Sequence, residues 1–113
     1  MFARLMGLST ISPTGLHRLM RDTPVTVIDV NSRQSWLRAR VPGALNLDPA
    51  AYDVDSLPPA RDTVLVFYCS NPLCRKAPNA ARRAKKLGYG NVQVMSAGIS
   101  GWLGATLPSE SGE

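Results

Sequence analysis

The sequence predicts an α/β domain in which a central, mainly parallel sheet carries helices on both faces. Two runs, Val-Thr-Val-Ile-Asp-Val at residues 25–30 and Thr-Val-Leu-Val-Phe-Tyr at residues 63–68, are rich in β-branched residues and almost continuously apolar. That is the pattern of strands covered on both faces rather than half open to water. Helical spacing follows each run, and strands that alternate with helices pair in parallel through right-handed crossovers. With 113 residues, 44% of them hydrophobic and 19% charged, the chain has the size and composition of one globular core. A single domain over residues 1–113 is expected, with its core from about 11 to 108 and a short polar tail at 109–113.

Along the chain, Ser12-Pro13 reads as a helix start, with the serine hydroxyl as cap and proline at the first helical position, where a missing N–H costs nothing. Leu16, Leu19 and Met20 then form one apolar stripe. After the strand at 25–30, Asn31-Ser32 caps a short helix through Trp36 and Leu37, and Val41-Pro42-Gly43 turns the chain into the short apolar segment 44–47. Residues 48–60, with three prolines, read as a surface connection. The strand at 63–68 runs into Cys69. A helix at 78–87 places Ala80, Ala81, Ala84 and Leu87 on one side and Arg82, Arg83, Lys85 and Lys86 on the other, and Gly88 stops it in a left-handed conformation. Residues 92–95 make a further strand and 98–103 a short last helix.

Charge and cysteine usage exclude several classes. The net charge is +5, which favours anionic ligands. The basic run 82–86 lacks interleaved aromatics or a nucleic-acid motif, so no nucleic-acid partner is expected. Only Cys69, Cys74 and His17 are available as soft metal ligands, too few and poorly spaced for a structural zinc site, so neither metal nor cofactor is expected. Two cysteines do not make the disulfide framework of a small secreted domain. The run 1–11 is interrupted by Arg4 and no small-residue cleavage site follows it, and no stretch has the length of a membrane span. A cytoplasmic monomer without a membrane partner is the expectation.

The chemistry converges on Cys69. Ligands of parallel sheets collect at the carboxyl ends of the strands, where the strand at 63–68 places this thiol. The following stretch, Cys69-Ser70-Asn71-Pro72-Leu73-Cys74-Arg75-Lys76, leads into a helix N-terminus, whose inward N–H groups bind anions and favour a thiolate. Arg75 and Lys76 add positive charge, and arginine grips an oxyanion through paired hydrogen bonds. Cys69 is the candidate nucleophile, with Ser70, Asn71, Leu73, Cys74, Arg75 and Lys76 as the candidate substrate-binding loop. The competing reading of Cys69 is a small buried core residue.

These residues carry a family resemblance. Val27-Ile28-Asp29-Val30 followed by Val41-Pro42-Gly43-Ala44-Leu45-Asn46 resembles the first signature of rhodanese domains. Ala97-Gly98-Ile99-Ser100-Gly101-Trp102, leading to Leu107-Pro108, resembles the second. Phe67-Tyr68-Cys69 with the helix at Ala80-Ala81 is similar to the family's active-site strand, cysteine and loop. The resemblance spans about residues 11–108 and implies a three-layer domain. It also implies a double displacement, in which Cys69 takes sulfane sulfur from a small anionic donor such as thiosulfate, becomes a persulfide, and passes the sulfur to a thiol, cyanide or protein acceptor. The sequence departs from the family at Asn31, where arginine is usual, and at Arg40, where histidine is usual. It also departs in the loop, where the single-domain enzymes run Cys-x4-Arg. Here Cys74 stands fifth after Cys69 and Arg75 sixth, which implies a longer loop and a wider oxyanion pocket.

Two other functions compete. Cys-x5-Arg is the spacing of cysteine-dependent phosphatases and of arsenate reductases, although Tyr68 and Lys76 replace the histidine and hydroxyl residues usual in those sites. A non-catalytic sulfur-relay or protein-binding module is the third reading, since fold does not fix function. For Cys74 two geometries are open. A curled loop brings it within disulfide reach of Cys69, so that it resolves oxidised forms of that residue, whereas an inward orientation makes it a packing residue.

Overall fold

The computed structural model describes Ala3 and residues 7–113. Most of the N-terminal run considered above for a targeting signal, residues 1, 2 and 4–6, lies outside the described residues. Five parallel strands form one sheet in the order β1-β5-β4-β2-β3, where β1 is Ser9–Thr10, β2 Val25–Asp29, β3 Leu45–Asn46, β4 Val64–Tyr68 and β5 Val92–Val94. The strongest apolar run, β4, lies at the centre. Its pairing with β2 sets Val25 opposite Val64 and Asp29 opposite Tyr68, and its pairing with β5 sets Phe67 opposite Val94.

Side chains alternate across a strand, so one face of β4 and β2 carries Leu65, Phe67, Cys69, Ile28 and Val30 and the other carries Val66, Tyr68 and Val27. Helix α3, Lys76–Lys86, covers the first face with Ala77, Ala80, Ala81 and Ala84. Its small side chains let it lie close to the sheet. Leu16 of α1, Pro13–Asp22, and Trp102 of α4, Gly98–Gly104, cover the second face. Helix α2, Arg33–Arg38, buries no residue and lies at the rim. The expected three-layer α/β arrangement is the one observed, and among the described residues no helix is long and apolar enough to cross a membrane.

Local chemistry sets the element boundaries. The Ser12 hydroxyl accepts the Gly15 N–H at 3.0 Å with Pro13 at the first helical position, and Ser32, rather than Asn31, caps α2 by accepting the Ser35 N–H at 3.2 Å. Helix α3 starts two residues before the expected position, at Lys76, because Pro78 falls within the first turn, where helix N–H groups have no intrahelical partner. One expectation changes. Residues 48–60 are more than a surface connection: Tyr52 and Leu57 are buried, a 3-10 turn spans Val54–Ser56, and the Tyr52 hydroxyl donates to the Ala80 carbonyl at 2.8 Å. The polar tail is docked, since Arg40 and Glu110 exchange main-chain hydrogen bonds at 2.9 and 3.0 Å and the Gly112 N–H donates to the Leu37 carbonyl at 2.7 Å.

Beneath the sheet's carboxyl edge lies a buried polar pair. The Asp29 carboxylate accepts the Tyr68 hydroxyl at 2.7 Å and the Asn31 N–H at 2.8 Å, while the Val41 N–H donates to the Tyr68 oxygen at 3.1 Å. Burial raises the Asp29 pKa above its free value of 3.8, against the lowering effect of the Tyr68 and Asn31 hydrogen bonds and of Arg40. Burial, then the adjacent Asp29 charge, raises that of Tyr68. A carboxyl that holds its proton more tightly when folded contributes stability fully below its unfolded pKa and loses it as pH rises through the folded value. The stability of the wild type relative to Asp29→Asn is therefore expected to fall as pH rises from 3.8 toward neutrality. Urea midpoints of both proteins measure this, and a difference constant with pH would refute it.

Gly98 generates a second prediction. It has φ of +68°, and a Cβ there would sit 2.5 Å from the Ser70 carbonyl carbon, a backbone atom that cannot rotate away. Gly98→Ala combines a left-handed penalty with overpacking and is expected to destabilise the fold by roughly 2–4 kcal/mol. A shift in urea midpoint worth less than about 1 kcal/mol would show that the loop yields freely.

Candidate active site

Cys69 follows the last residue of β4 and is 3% exposed, with its side chain in the apolar cluster under α3. The loop after it is held from behind by α4. The Ile99 N–H donates to the Cys69 carbonyl at 2.9 Å and the Ser100 N–H to the Ser70 carbonyl at 3.0 Å, a contact that the missing side chain of Gly98 permits. In front, Asn71 makes the turn: its side-chain oxygen accepts the Leu73 N–H at 2.9 Å and its carbonyl accepts the Cys74 N–H at 3.1 Å. Asparagine followed by proline suits such a turn, and here it reverses the chain so that Cys74 returns to Cys69.

The two cysteines form a disulfide with their Cα atoms 6.4 Å apart. Cys74 also packs, partly buried, against the α3-side core. The curled and inward geometries open in the sequence thus occur together. Both sulfur residues line a small cavity of about 10 Å³ whose wall includes Pro72, Ala77 and Ser96. The Ser96 hydroxyl is buried there without a hydrogen-bond partner.

The remaining loop residues face elsewhere. Leu73 is 71% exposed at the tip. The Ser70 hydroxyl donates to Asn31 Oδ1 at 2.8 Å, and Ser70 and Asn71 line an open cavity of about 330 Å³ that also includes Arg38. Lys76 lines another, of about 270 Å³, together with Asn31 and Arg33. Arg75 is the exposed N-cap residue of α3, which has no side-chain cap bond. The disulfide-bonded site therefore places its sulfurs under the loop and its cations outside it.

Asn31 and Arg33 were not among the residues singled out for the site. Asn31 is buried between the two open cavities, and its side-chain nitrogen makes no hydrogen bond of good geometry. Its place two residues after Asp29, at the end of a strand adjacent to β4, was the available signal, because strand ends in a parallel sheet converge on one edge.

Comparison with known proteins agrees with this architecture. The family model described as "Rhodanese-like domain" matches residues 12–105. An uncharacterized Escherichia coli protein, YibN, is 30% identical over 100 residues, covering 85% of this chain and 68% of that protein. A human thiosulfate:glutathione sulfurtransferase is 26% identical over 113 residues, covering 88% of this chain and 96% of that one. The crystal structure of a thiosulfate sulfurtransferase from Pseudomonas aeruginosa superposes with a TM-score of 0.81 at 26% identity, covering 94% of this chain and 20% of that chain. With a family model that spans nearly all of the sheet and its covering helices, the chain belongs to the rhodanese-like domain family.

Proposed function

We propose that the protein is a sulfurtransferase that moves sulfane sulfur from a small anionic donor to a thiol acceptor through a persulfide on Cys69. The observation that carries this reading is the position of Cys69 at the carboxyl end of the central strand β4, on a loop that leads directly into the N-terminus of α3. The relatives named for thiosulfate and glutathione support the donor and acceptor classes.

The competent state has both cysteines as thiols. Cys69 acts as its thiolate, favoured by the N-terminus of α3 that the loop leads into. This thiolate attacks the outer sulfur of thiosulfate, the sulfur–sulfur bond breaks, its electron pair leaves with sulfite, and Cys69 retains the transferred sulfur. An acceptor thiolate then attacks that outer sulfur and Cys69 departs as thiolate, ready for another cycle. Arg75 and Lys76, with Arg33 beside Lys76, supply charge for the donor's sulfonate end and for departing sulfite.

Reduced wild-type protein quenched soon after mixing is expected to carry one added sulfur atom from thiosulfate, observed by intact mass, and Cys69→Ser to carry none. An adduct that persists in Cys69→Ser would move the nucleophile elsewhere. The same sample should form thiocyanate from thiosulfate and cyanide and release no phosphate from an aryl phosphate, whereas the reverse result would establish the phosphatase chemistry. Arg75→Ala is expected to raise the donor KM by roughly 10-fold, the loss of one charge-assisted contact, with a smaller change in kcat. An unchanged KM would take Arg75 out of donor binding.

A further inference from the structure

The loop that carries the proposed nucleophile also carries a second thiol within bonding distance. Main-chain and side-chain hydrogen bonds, not the disulfide alone, make that juxtaposition: the Asn71 carbonyl and side-chain oxygen hold the turn from inside, and the Ile99 and Ser100 N–H groups hold the Cys69 and Ser70 carbonyls from behind. None of these bonds involves sulfur, so reduction removes none of them, and a Cys74 thiol that they hold beside Cys69 acts at a high effective concentration. Cys74 directly precedes Arg75 and Lys76 and the uncapped N-terminus of α3, the environment that stabilises a thiolate. Cys69, by contrast, is almost fully covered, which slows attack by an outside thiol.

The bonded geometry also shows which sulfur Cys74 reaches. Its Sγ is joined to the Cys69 Sγ itself, which in a Cys69 persulfide is the inner sulfur. We propose that Cys74 resolves the Cys69 persulfide by attacking this inner sulfur and expelling hydrosulfide, and that a dithiol reductant then opens the resulting disulfide, making the protein a sulfide-releasing, dithiol-dependent reductase of sulfane sulfur. This rests on the persulfide chemistry proposed above and names the class of reductant that turns the site over.

The steps balance. The Cys74 thiol passes its proton to the outer sulfur of the persulfide, its thiolate forms a bond to Cys69 Sγ, the bond from Cys69 Sγ to the outer sulfur breaks, and that bond's electron pair leaves on hydrosulfide. The product is the disulfide present in the structure. One thiolate of the dithiol attacks Cys74, the more exposed of the pair, releases Cys69 as thiolate, and the second closes the reductant's own disulfide while freeing Cys74. Over the cycle thiosulfate and a dithiol give sulfite, hydrogen sulfide and a disulfide. Leu73, 71% exposed beside Cys74, offers an apolar contact to a protein dithiol.

The test is a single turnover without added thiol. Fully reduced protein, freed of reductant under anaerobic conditions, is mixed with an equimolar amount of thiosulfate, and sulfite, sulfide, free thiols and intact mass are followed together. Expected for the wild type is a transient sulfur adduct, then sulfide equal to the sulfite released and protein two hydrogens lighter than at the start. In Cys74→Ser, with Cys74→Ala as a second variant, the adduct should decay at least about 10-fold more slowly with no intramolecular disulfide. A wild-type adduct that lasts as long as the variants' overturns the resolving role and leaves the sulfurtransferase reading intact. Sulfur found on Cys74 without sulfide release also overturns it, since attack then falls on the outer sulfur. Neither adduct nor sulfite in any of the proteins removes both readings.

Discussion

The start of α4 approaches the loop after β4 so closely that only a glycine fits between them. Gly98 lies with its backbone against Ser70 and Asn71, and the two amides that follow it, on Ile99 and Ser100, bond the Cys69 and Ser70 carbonyls. This contact converts a surface loop, ordinarily among the least stable parts of a fold, into a fixed extension of the sheet. It also relates the two layers. Trp102, one turn after Gly98, fills the second core and donates its indole N–H to the Pro108 carbonyl at 2.8 Å, so the anchor that seats α4 against the sheet also sets the position of Cys69.

A second set of interactions explains how the departures from the family pattern are tolerated. Arg40, standing where histidine is usual, is buried, with its guanidinium 3.9 Å from the centre of the Trp36 ring and donating to the Gly112 carbonyl at 2.7 Å. A buried guanidinium is costly unless it is stacked and hydrogen-bonded, and the docked C-terminal residues supply the acceptors. Asn31, standing where arginine is usual, fixes Ser70 through its side-chain oxygen and accepts the Asn46 amide on its carbonyl at 2.9 Å. A neutral amide thus holds the loop from this position, and Arg33 and Lys76 line a neighbouring cavity.

The features legible in the sequence were those repeated over several residues. The apolar runs gave β2 and β4, and the alanine face against the basic face gave the orientation of α3, because each rests on a period that burial enforces. Strand β1 has two residues, too few for a period to appear. Tyr52 and Leu57 were hidden among prolines and acidic residues in the 48–60 segment, since a buried tyrosine needs a hydroxyl partner that only tertiary structure supplies, here the Ala80 carbonyl. At the site, the position of Cys69 was readable from the end of β4. The partition of the loop, with sulfurs beneath and cations outside, was not, because it follows from the Asn71 turn and the Gly98 contact acting together.

That partition gives the longer loop its chemical meaning. In a Cys-x4-Arg loop the arginine stands fifth after the nucleophile. Here the fifth position is Cys74, and the turn at Asn71 brings this position back to Cys69. The curl presents a sulfur to Cys69 at this position, while the arginine stands one residue on, at the start of α3. Moving a charge outward weakens its grip on a bound anion, because attraction to solvent-exposed charge is screened. In the proposed chemistry a second thiol inside the loop is an intramolecular nucleophile whose effective concentration no outside thiol matches. In the proposed chemistry the additional residue therefore exchanges tight donor binding for a fast route from persulfide to disulfide, and the reductant that opens the disulfide sets how often the site can accept sulfur again.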